Sequence, residues 1–302
     1  MLINDPRRRR VLIDSDVANE ADDQFALVHA LLSPTLDIRG IIPAHFGTKR
    51  TNESMRASRD ELDRILELMD MTGVVTVADG APAALPSETE PVDSPGARLI
   101  IDEARRPDAG PLFIAFLGPL TDMASALLLA PDIADTDTTV IWIGGAPYGD
   151  IEFAGTWPEF NLRNDIASAN VVFASGLTIW QVPSNVYRLV NVGYAELRRR
   201  VEPHGAIGPY LAQGVVDFNT AHNPVPIESR SLGDSPAIAL MIEPFSGNMR
   251  TQSPVRFTAD GRYEAAGEGG QVRVVEQMDV RFLLEDMFAK IAEFGESGRS
   301  AD

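Results

Sequence analysis

Residues 11–32 read VLIDSDVANEADDQFALVHALL. Val11–Ile13 is an apolar run of the kind that forms a buried strand. From Phe25 to Leu32 the apolar residues recur at helical spacing. Four aspartates, Asp14, Asp16, Asp22 and Asp23, crowd the ten residues at the junction. In parallel α/β sheets ligands bind beyond the carboxyl ends of strands, and this junction is such an end. Close carboxylates repel one another, and burying an unpaired charge is costly. A hard divalent cation, which takes about six to eight oxygen ligands, relieves both costs. The plainer alternative is a solvated helix start, since the helix dipole favours aspartate there. That alternative accounts for Asp22 and Asp23 better than for Asp14 and Asp16.

Outward from this stretch, Ile38–Ile42, Val74–Val77, Leu112–Leu117, Thr139–Ile143 and Thr178–Val182 also read as strands. Most are near-continuous apolar runs, which suits a sheet covered on both faces. Helical patterns lie between them: Leu62, Ile65, Leu66 and Met69 form one set, and Val280, Leu283, Leu284, Met287, Phe288 and Ile291 another. The βαβα order predicts an α/β fold with a mainly parallel, Rossmann-like sheet and helices on both faces. No repeat or clean linker interrupts it, so one domain is expected over residues 1–302. Residues 1–10 and 296–302 are expected to be flexible ends. Residues 82–96, with four prolines, read as a long loop, and 204–234 as a cap or lid.

Composition narrows the function. The chain has 302 residues, 44% of them hydrophobic, and a formal net charge of -18. Such a charge repels phosphate backbones, so sequence-independent nucleic-acid binding is not expected. There are no cysteines, which excludes disulfides, zinc-thiolate sites and cysteine nucleophiles. No apolar stretch reaches the roughly 18 residues that a membrane span needs. Only three apolar residues separate Arg7–Arg10 from Asp14, too few for a secretion signal, so a cytoplasmic location is expected.

The VLIDSD opening also matches the strand-then-DxD start of one class of phosphatases. That class further needs a late acidic pair at a strand end, and none is evident. Other segments point elsewhere. They are DSDVANEADD at 14–23, Gly118-Pro-Leu-Thr-Asp122, the pair Gly144-Gly145, Glu159-Phe-Asn161 with Asp165 opening the next helix, and Gly233-Asp234-Ser-Pro236. In order and spacing this set resembles the inosine-uridine-preferring nucleoside hydrolases, as a divergent member. Their counterparts are a DxDxGxDD opening, a GLTN or GPLTN turn, a GG pair, an EFN motif and a late HDP. The resemblance covers about residues 11–240.

What the resemblance implies is a nucleoside hydrolase fold and calcium-dependent cleavage of the bond between ribose and a base nitrogen. Carried over by position, the Ca2+ ligands are Asp16, Asp23, the backbone carbonyl of Thr121 and Asp234. All are oxygen donors, as calcium prefers. Asp16 is also the implied general base toward a metal-bound water. Asp22 holds the ribose diol, with Glu159 and Asn161 on the other side of the sugar. Asp14 orients its neighbours from behind. As helix caps, Thr121 and Asp234 have an ordinary structural reading as well. The resemblance further implies a free nucleoside or related riboside as the small-molecule partner, and a homodimer or homotetramer.

This sequence departs from the pattern in several ways, among them Gly47-Thr48 where the family has a GN pair after the second strand. Two extra residues enter the aspartate motif, and Asn19 among them is a candidate substitute ribose contact. The histidine that precedes the late aspartate is replaced by Gly233. The HGxDG segment after the third strand is missing. Of the four histidines, His29 reads as structural, while His45, following the second strand, is the candidate to line the pocket. Trp157 and Tyr148 flank the EFN segment as candidate stacking partners for a base. With these histidines absent, a non-catalytic protein that binds calcium and ribose on the same fold is the alternative to an enzyme.

Overall fold

A computed structural model describes residues 7–107, 109–149, 157–266 and 270–299. In chain order the elements are β1 (Arg9–Ser15), α1 (Asp23–Leu31), β2 (Leu36–Pro43), α2 (Ser54–Leu68), α3 (Pro95–Ala104), β3 (Leu112–Phe116), α4 (Thr121–Leu129) and β4 (Thr138–Ile143). Then come α5 (Phe160–Asn164), α6 (Ile166–Phe173), β5 (Thr178–Val182), α7 (Ser184–Tyr187), β6 (Asn191–Gly193), α8 (Tyr194–Arg200), α9 (Ile207–His222) and β7 (Ser229–Ser231). The chain closes with α10 (Ser235–Ile242), β8 (Gly247–Gln252), β9 (Val255–Phe257), β10 (Tyr263–Ala265), β11 (Gln271–Met278) and α11 (Val280–Arg299).

The central sheet has seven strands in the order β2-β1-β3-β4-β5-β11-β8. All neighbours pair in parallel except β8, which runs antiparallel to β11. Successive strand residues point to opposite faces, and the core divides accordingly. Val11, Ile13, Ala115, Ile141 and Ile143 pack on one face with α1, α10 and α11. Leu12, Ile114, Phe116, Val140 and Trp142 pack on the other with α3, α4 and α6. The expected parallel sheet with both faces covered is therefore present.

Strand order reverses at β1, which has β2 on one side and β3 on the other. Such a switch point opens a crevice at the carboxyl ends of the two strands. Here the crevice lies where Ser15 ends β1 and Phe116 ends β3.

Two readings differ from the structure. Val74–Val77 is not a strand: it follows the Gly73 turn with Val74 exposed, and only a single parallel bridge from Ile41 to Val77 reaches the sheet. Conversely, β11 and β8 extend the sheet although neither is an apolar run. The ends expected to be flexible carry structure where they are described. Arg9 and Arg10 belong to β1, and α11 continues to Arg299. Residues 1–6 and 300–302 lie outside the described residues. The stretch read as a cap or lid holds the 16-residue α9 and the short strand β7. Among the described residues no helix is long and apolar enough to cross a membrane.

Candidate active site

At the switch point the chain leaves β1 and turns into α1, and this turn carries the aspartates into a buried chamber. Asp16, Asp22 and Asp23 are almost fully buried, as is Asp234 at the start of α10. A cavity of about 70 Å³ is lined by Asp16, Asn19, Asp22, Asp23, Asn161 and Asp234, together with Glu159, Phe160 and Tyr187. Segments far apart in sequence thus meet at one place.

Within the chamber, carboxylate oxygens of Asp22, Asp23 and Asp234 lie within 4.8 Å of one another. Asp16 lines the same space beside them, with its Oδ2 buried and without a hydrogen-bond partner. Asp22 and Asp234 both occupy helix N-cap positions, yet neither side chain caps its helix. Asp22 Oδ2 instead accepts from the Gly233 N–H at 3.0 Å. Ser15 Oγ donates to Asp23 Oδ1 at 2.6 Å and ties the end of β1 to the start of α1.

Burial raises every one of these carboxyls. Asp22 is pushed up to about 7, by burial and then by the Glu20 charge. Asp23 reaches about 6 through burial, restrained by the Ser15 hydroxyl. Asp16 and Asp234 go well above the ordinary range, through burial first and repulsion from Asp23 next. A protein does not gather four buried carboxylates without compensation. Their oxygen-only donor set and the orphaned Asp16 Oδ2 fit a hard divalent cation.

Thr121 starts α4 beneath the chamber but does not line it, and its side chain does not cap the helix. Its Oγ1 donates to Asp165 Oδ2 at 2.7 Å and lies 2.8 Å from His45 Nε2. Because the Gly47 N–H donates to His45 Nδ1, His45 carries its proton on Nε2 and gives it to Thr121. Burial holds the His45 pKa down at about 4, so the ring is neutral. His45 is fully buried in this chain of bonds and lines neither the chamber nor the larger cavity beside it. Asp165 caps α6 through Ser168, as the sequence suggests.

Glu159 is the N-cap of α5, and Asn161 stands in the first turn of that helix. Asn161 Nδ2 donates to the carbonyls of Leu117 and Ile143, and so joins the ends of β3 and β4. Glu159 accepts from the N–H groups of Gly145, Asn161 and Leu162 and from the Tyr187 hydroxyl. Gly145 can turn this way because its φ is +85°. Asp14 is completely buried behind the chamber, where its carboxyl group meets that of Asp122. Burial, and then the Asp122 carboxylate, raise its pKa well above the usual range. Asp122 stands where the GPLTN pattern has asparagine, and it receives the Ala81 N–H and the Ser94 hydroxyl.

The two expected stacking residues are elsewhere. Tyr148 bonds Gln181 and packs on Tyr263, and the Trp157 indole N–H donates to the Asp260 carbonyl. Phe160 and Tyr187 are the aromatics at the chamber. The glycine that replaces histidine at position 233 has a steric reason. A Cβ there would stand 3.0 Å from Tyr187 Cδ2 and 3.2 Å from Asp22 Oδ2. Tyr187 fills the space a larger residue would need.

A family model described as inosine-uridine preferring nucleoside hydrolase matches residues 11–285. A probable uridine nucleosidase 2 from Arabidopsis thaliana is 26% identical over 68% of this chain and 68% of its own. A pyrimidine-specific ribonucleoside hydrolase from Photobacterium profundum is 24% identical over 78% of this chain and 80% of its own. Among solved structures, a plant nucleoside hydrolase superposes with a TM-score of 0.76 at 19% identity, over 94% of this chain and 99% of its own. A purine-preferring ribonucleoside hydrolase from Gardnerella vaginalis has the same TM-score at 21% identity, over 95% and 99%. These matches leave the DxD phosphatase reading without support. A match across nearly the whole sheet and every segment of the chamber makes this chain a divergent member of the inosine-uridine preferring nucleoside hydrolase family, a family of metal-dependent N-glycosidases.

Proposed function

We propose that the protein hydrolyses the N-glycosidic bond of ribonucleosides in a calcium-dependent reaction, giving ribose and free base. The observation that carries this reading is the buried, unpartnered Asp16 Oδ2 beside the Asp22–Asp23–Asp234 cluster. Asp16, Asp23 and Asp234 would hold the ion, and the family resemblance adds the backbone carbonyl of Thr121, whose side chain turns to His45 and Asp165. A bound Ca2+ would lower the pKa of a water and fix the ribose diol.

Asp16 takes the proton of the attacking water as general base. Asp22 accepts from the diol. Asn161 has spent both amide hydrogens on Leu117 and Ile143, so its Oδ1 is the atom left to accept from a ribose hydroxyl. Glu159, held by four donors, fixes Asn161 and Tyr187 against the sugar. The backbone at Asn19, held by the Arg50 guanidinium, brings its unpartnered Oδ1 to the chamber as a further ribose contact. His45 and Asp14 act from behind, the first by orienting Thr121 and the second by supporting the Asp16 turn. The surrounding carboxylates stabilise positive charge on the sugar as the bond to the base breaks. A cytoplasmic homodimer or homotetramer is proposed with this activity, on the family resemblance.

The test is incubation of the purified protein with a panel of purine and pyrimidine nucleosides, with calcium and then with chelator, reading reducing sugar. Calcium-dependent release supports the reading and names the base class. Release that chelator leaves untouched removes the metal from it.

A further inference from the structure

The chamber opens into a second cavity of about 770 Å³, which shares Asp22, Glu159, Phe160, Tyr187 and Gly233 with it. That volume suits the rest of a riboside once the sugar sits over the aspartates. One wall is the antiparallel ribbon of β6 and β7, where Asn191 faces Ser231. The lining is unusual for so acidic a protein. Arg50, Arg163, Arg188 and Arg230 all border this one space, although acidic residues outnumber basic ones 44 to 26 in the chain.

The acidic groups of the cavity are already engaged. Glu20 pairs with Arg230, Asp22 accepts from Gly233, and Glu159 takes four hydrogen bonds. Arg50, Arg163 and Arg188 have no carboxylate partner among the described residues, whereas most arginines elsewhere do. Two of the three are nonetheless positioned. The Arg163 guanidinium lies 4.8 Å from the Phe160 ring centroid, and that of Arg50 lies 5.5 Å from the Phe218 centroid. Stacking orients a guanidinium and leaves its charge available; Arg50 Nη1 donates to the Asn19 carbonyl, and its other N–H groups, like those of Arg163, remain to meet an anion. Arg188 is exposed, with no side-chain hydrogen bond or ion pair among the described residues. Solvated surface arginines are ordinary. Three unneutralised ones converging on the single cavity that continues a carboxylate chamber are not what solubility requires.

We propose that the preferred substrate is an anionic riboside, whose phosphate or carboxylate is received by Arg50, Arg163 and Arg188 while the sugar rests on the aspartates. The proposal rests on the hydrolase reading for the chemistry at the sugar. Guanidinium groups match phosphate and carboxylate oxygens with paired donors. They also offset the repulsion that the carboxylate chamber exerts on an incoming anion. The anion has two positions to take: a 5′-phosphate on the sugar, or a carboxylate on the base.

The experiment compares three substrate sets on the calcium-loaded full chain: neutral ribonucleosides, their 5′-monophosphates, and ribonucleosides bearing a carboxylate on the base. One anionic set is expected to exceed its neutral parent in kcat/KM by about tenfold or more at low ionic strength, the margin shrinking as salt is added. The set that gains identifies the position of the anion. Arg188→Glu and, separately, Arg163→Glu should each collapse that ratio; a melting curve confirms folding, and Arg188, being exposed, is the safer variant. A ratio at or below one for both anionic sets, or a ratio unmoved by both variants, overturns the proposal and leaves the hydrolase reading intact. If no riboside is cleaved, the hydrolase reading fails, and calorimetry then decides the anion by itself. Ribose 5-phosphate or the carboxylated nucleoside binding more tightly than its neutral counterpart, with the gain lost in Arg188→Glu, upholds it. Equal or undetectable binding overturns it.

Discussion

The Asn161 amide nitrogen donates to the Leu117 carbonyl at 2.6 Å, and its second hydrogen reaches the Ile143 carbonyl at 2.8 Å. Both carbonyls lie just at the ends of neighbouring parallel strands, where the ladder stops and its last acceptors need partners. One side chain therefore closes the floor of the chamber between β3 and β4. Asn161→Ala leaves two buried acceptors unpaired, at a cost of roughly 1–3 kcal/mol each. Asn161→Asp is expected to be worse than Asn161→Ala, because it sets a carboxylate against two carbonyl oxygens. Urea unfolding of the three proteins checks the order; an aspartate variant as stable as wild type would show that the amide is not the closing bond.

Asp16→Asn keeps the shape of the side chain and removes its basicity. Gly118 makes room for this residue, since a Cβ there would lie 3.1 Å from the Asp16 carboxyl group. With nothing else moved, turnover should fall by about two to four orders of magnitude, as for loss of a general base. In the calcium-free protein burial favours the neutral, protonated Asp16, so an amide of the same shape should let the calcium-free form melt no lower than wild type. Full activity in the variant would place the base elsewhere.

The parts that were legible in the sequence share a cause, and so do those that were not. Strands β1 to β5 are apolar because helices cover both of their faces, and that is the pattern a sequence reader seeks. Strand β11 alternates buried and exposed residues, with Arg273 and Glu276 facing out, and its partner β8 is a largely polar edge. Neither resembles its central neighbours, so the far side of the sheet was silent. The aspartate chamber was visible because like charges packed within a few residues demand an explanation. The arginine cavity was not, because Arg50, Arg163, Arg188 and Arg230 come from four separate segments and dissolve in a net charge of -18. His45 shows the limit of reasoning from strand ends. Its position after β2 is correct for a pocket residue, but its ring turns inward to Thr121.

The raised carboxyls set a pH dependence for the calcium-free protein. Asp22 stands at about 7 and Asp23 at about 6. A group whose folded pKa exceeds its unfolded value binds its proton more tightly when folded. Its contribution is therefore fully present at low pH and lost as pH rises through the folded pKa. Chelator-treated protein should accordingly lose melting temperature as pH climbs from about 4, the ordinary aspartate value, to about 7, and level off above it. Calcium competes with the protons, so its stabilising effect should grow over the same range. At about a hundredfold excess over Kd the gain is about 2.7 kcal/mol. Thermal melts with calcium and with chelator at each pH check this. Calcium-free curves that rise with pH would show the cluster is not held as protonated carboxyls.

A second, opposite dependence resides in the core, between α1 and α11. His29 is fully buried on α1, with Nε2 2.8 Å from Asp286 Oδ2 on α11. Lys290 reaches the same carboxylate and also the Ser33 hydroxyl, while His29 Nδ1 has no partner. Burial lowers the His29 pKa below 6.5, and the Asp286 hydrogen bond only partly restores it. The unfolded chain then takes up a proton that the folded chain declines. Stability is complete above the unfolded value and lost as pH falls below it. His29→Gln can keep a donor toward Asp286 but cannot titrate. The stability of wild type relative to this variant should therefore decline between pH 6.5 and about 5, where an unperturbed histidine charges. Asp286 itself does not intrude, because its own pKa is lowered and its contribution fails only below the ordinary carboxylate value. Saturating calcium at every pH keeps the aspartate chamber out of the comparison. Parallel pH curves for the two proteins would mean that His29 takes its proton equally well in the folded core, and that the Asp286 contact outweighs burial.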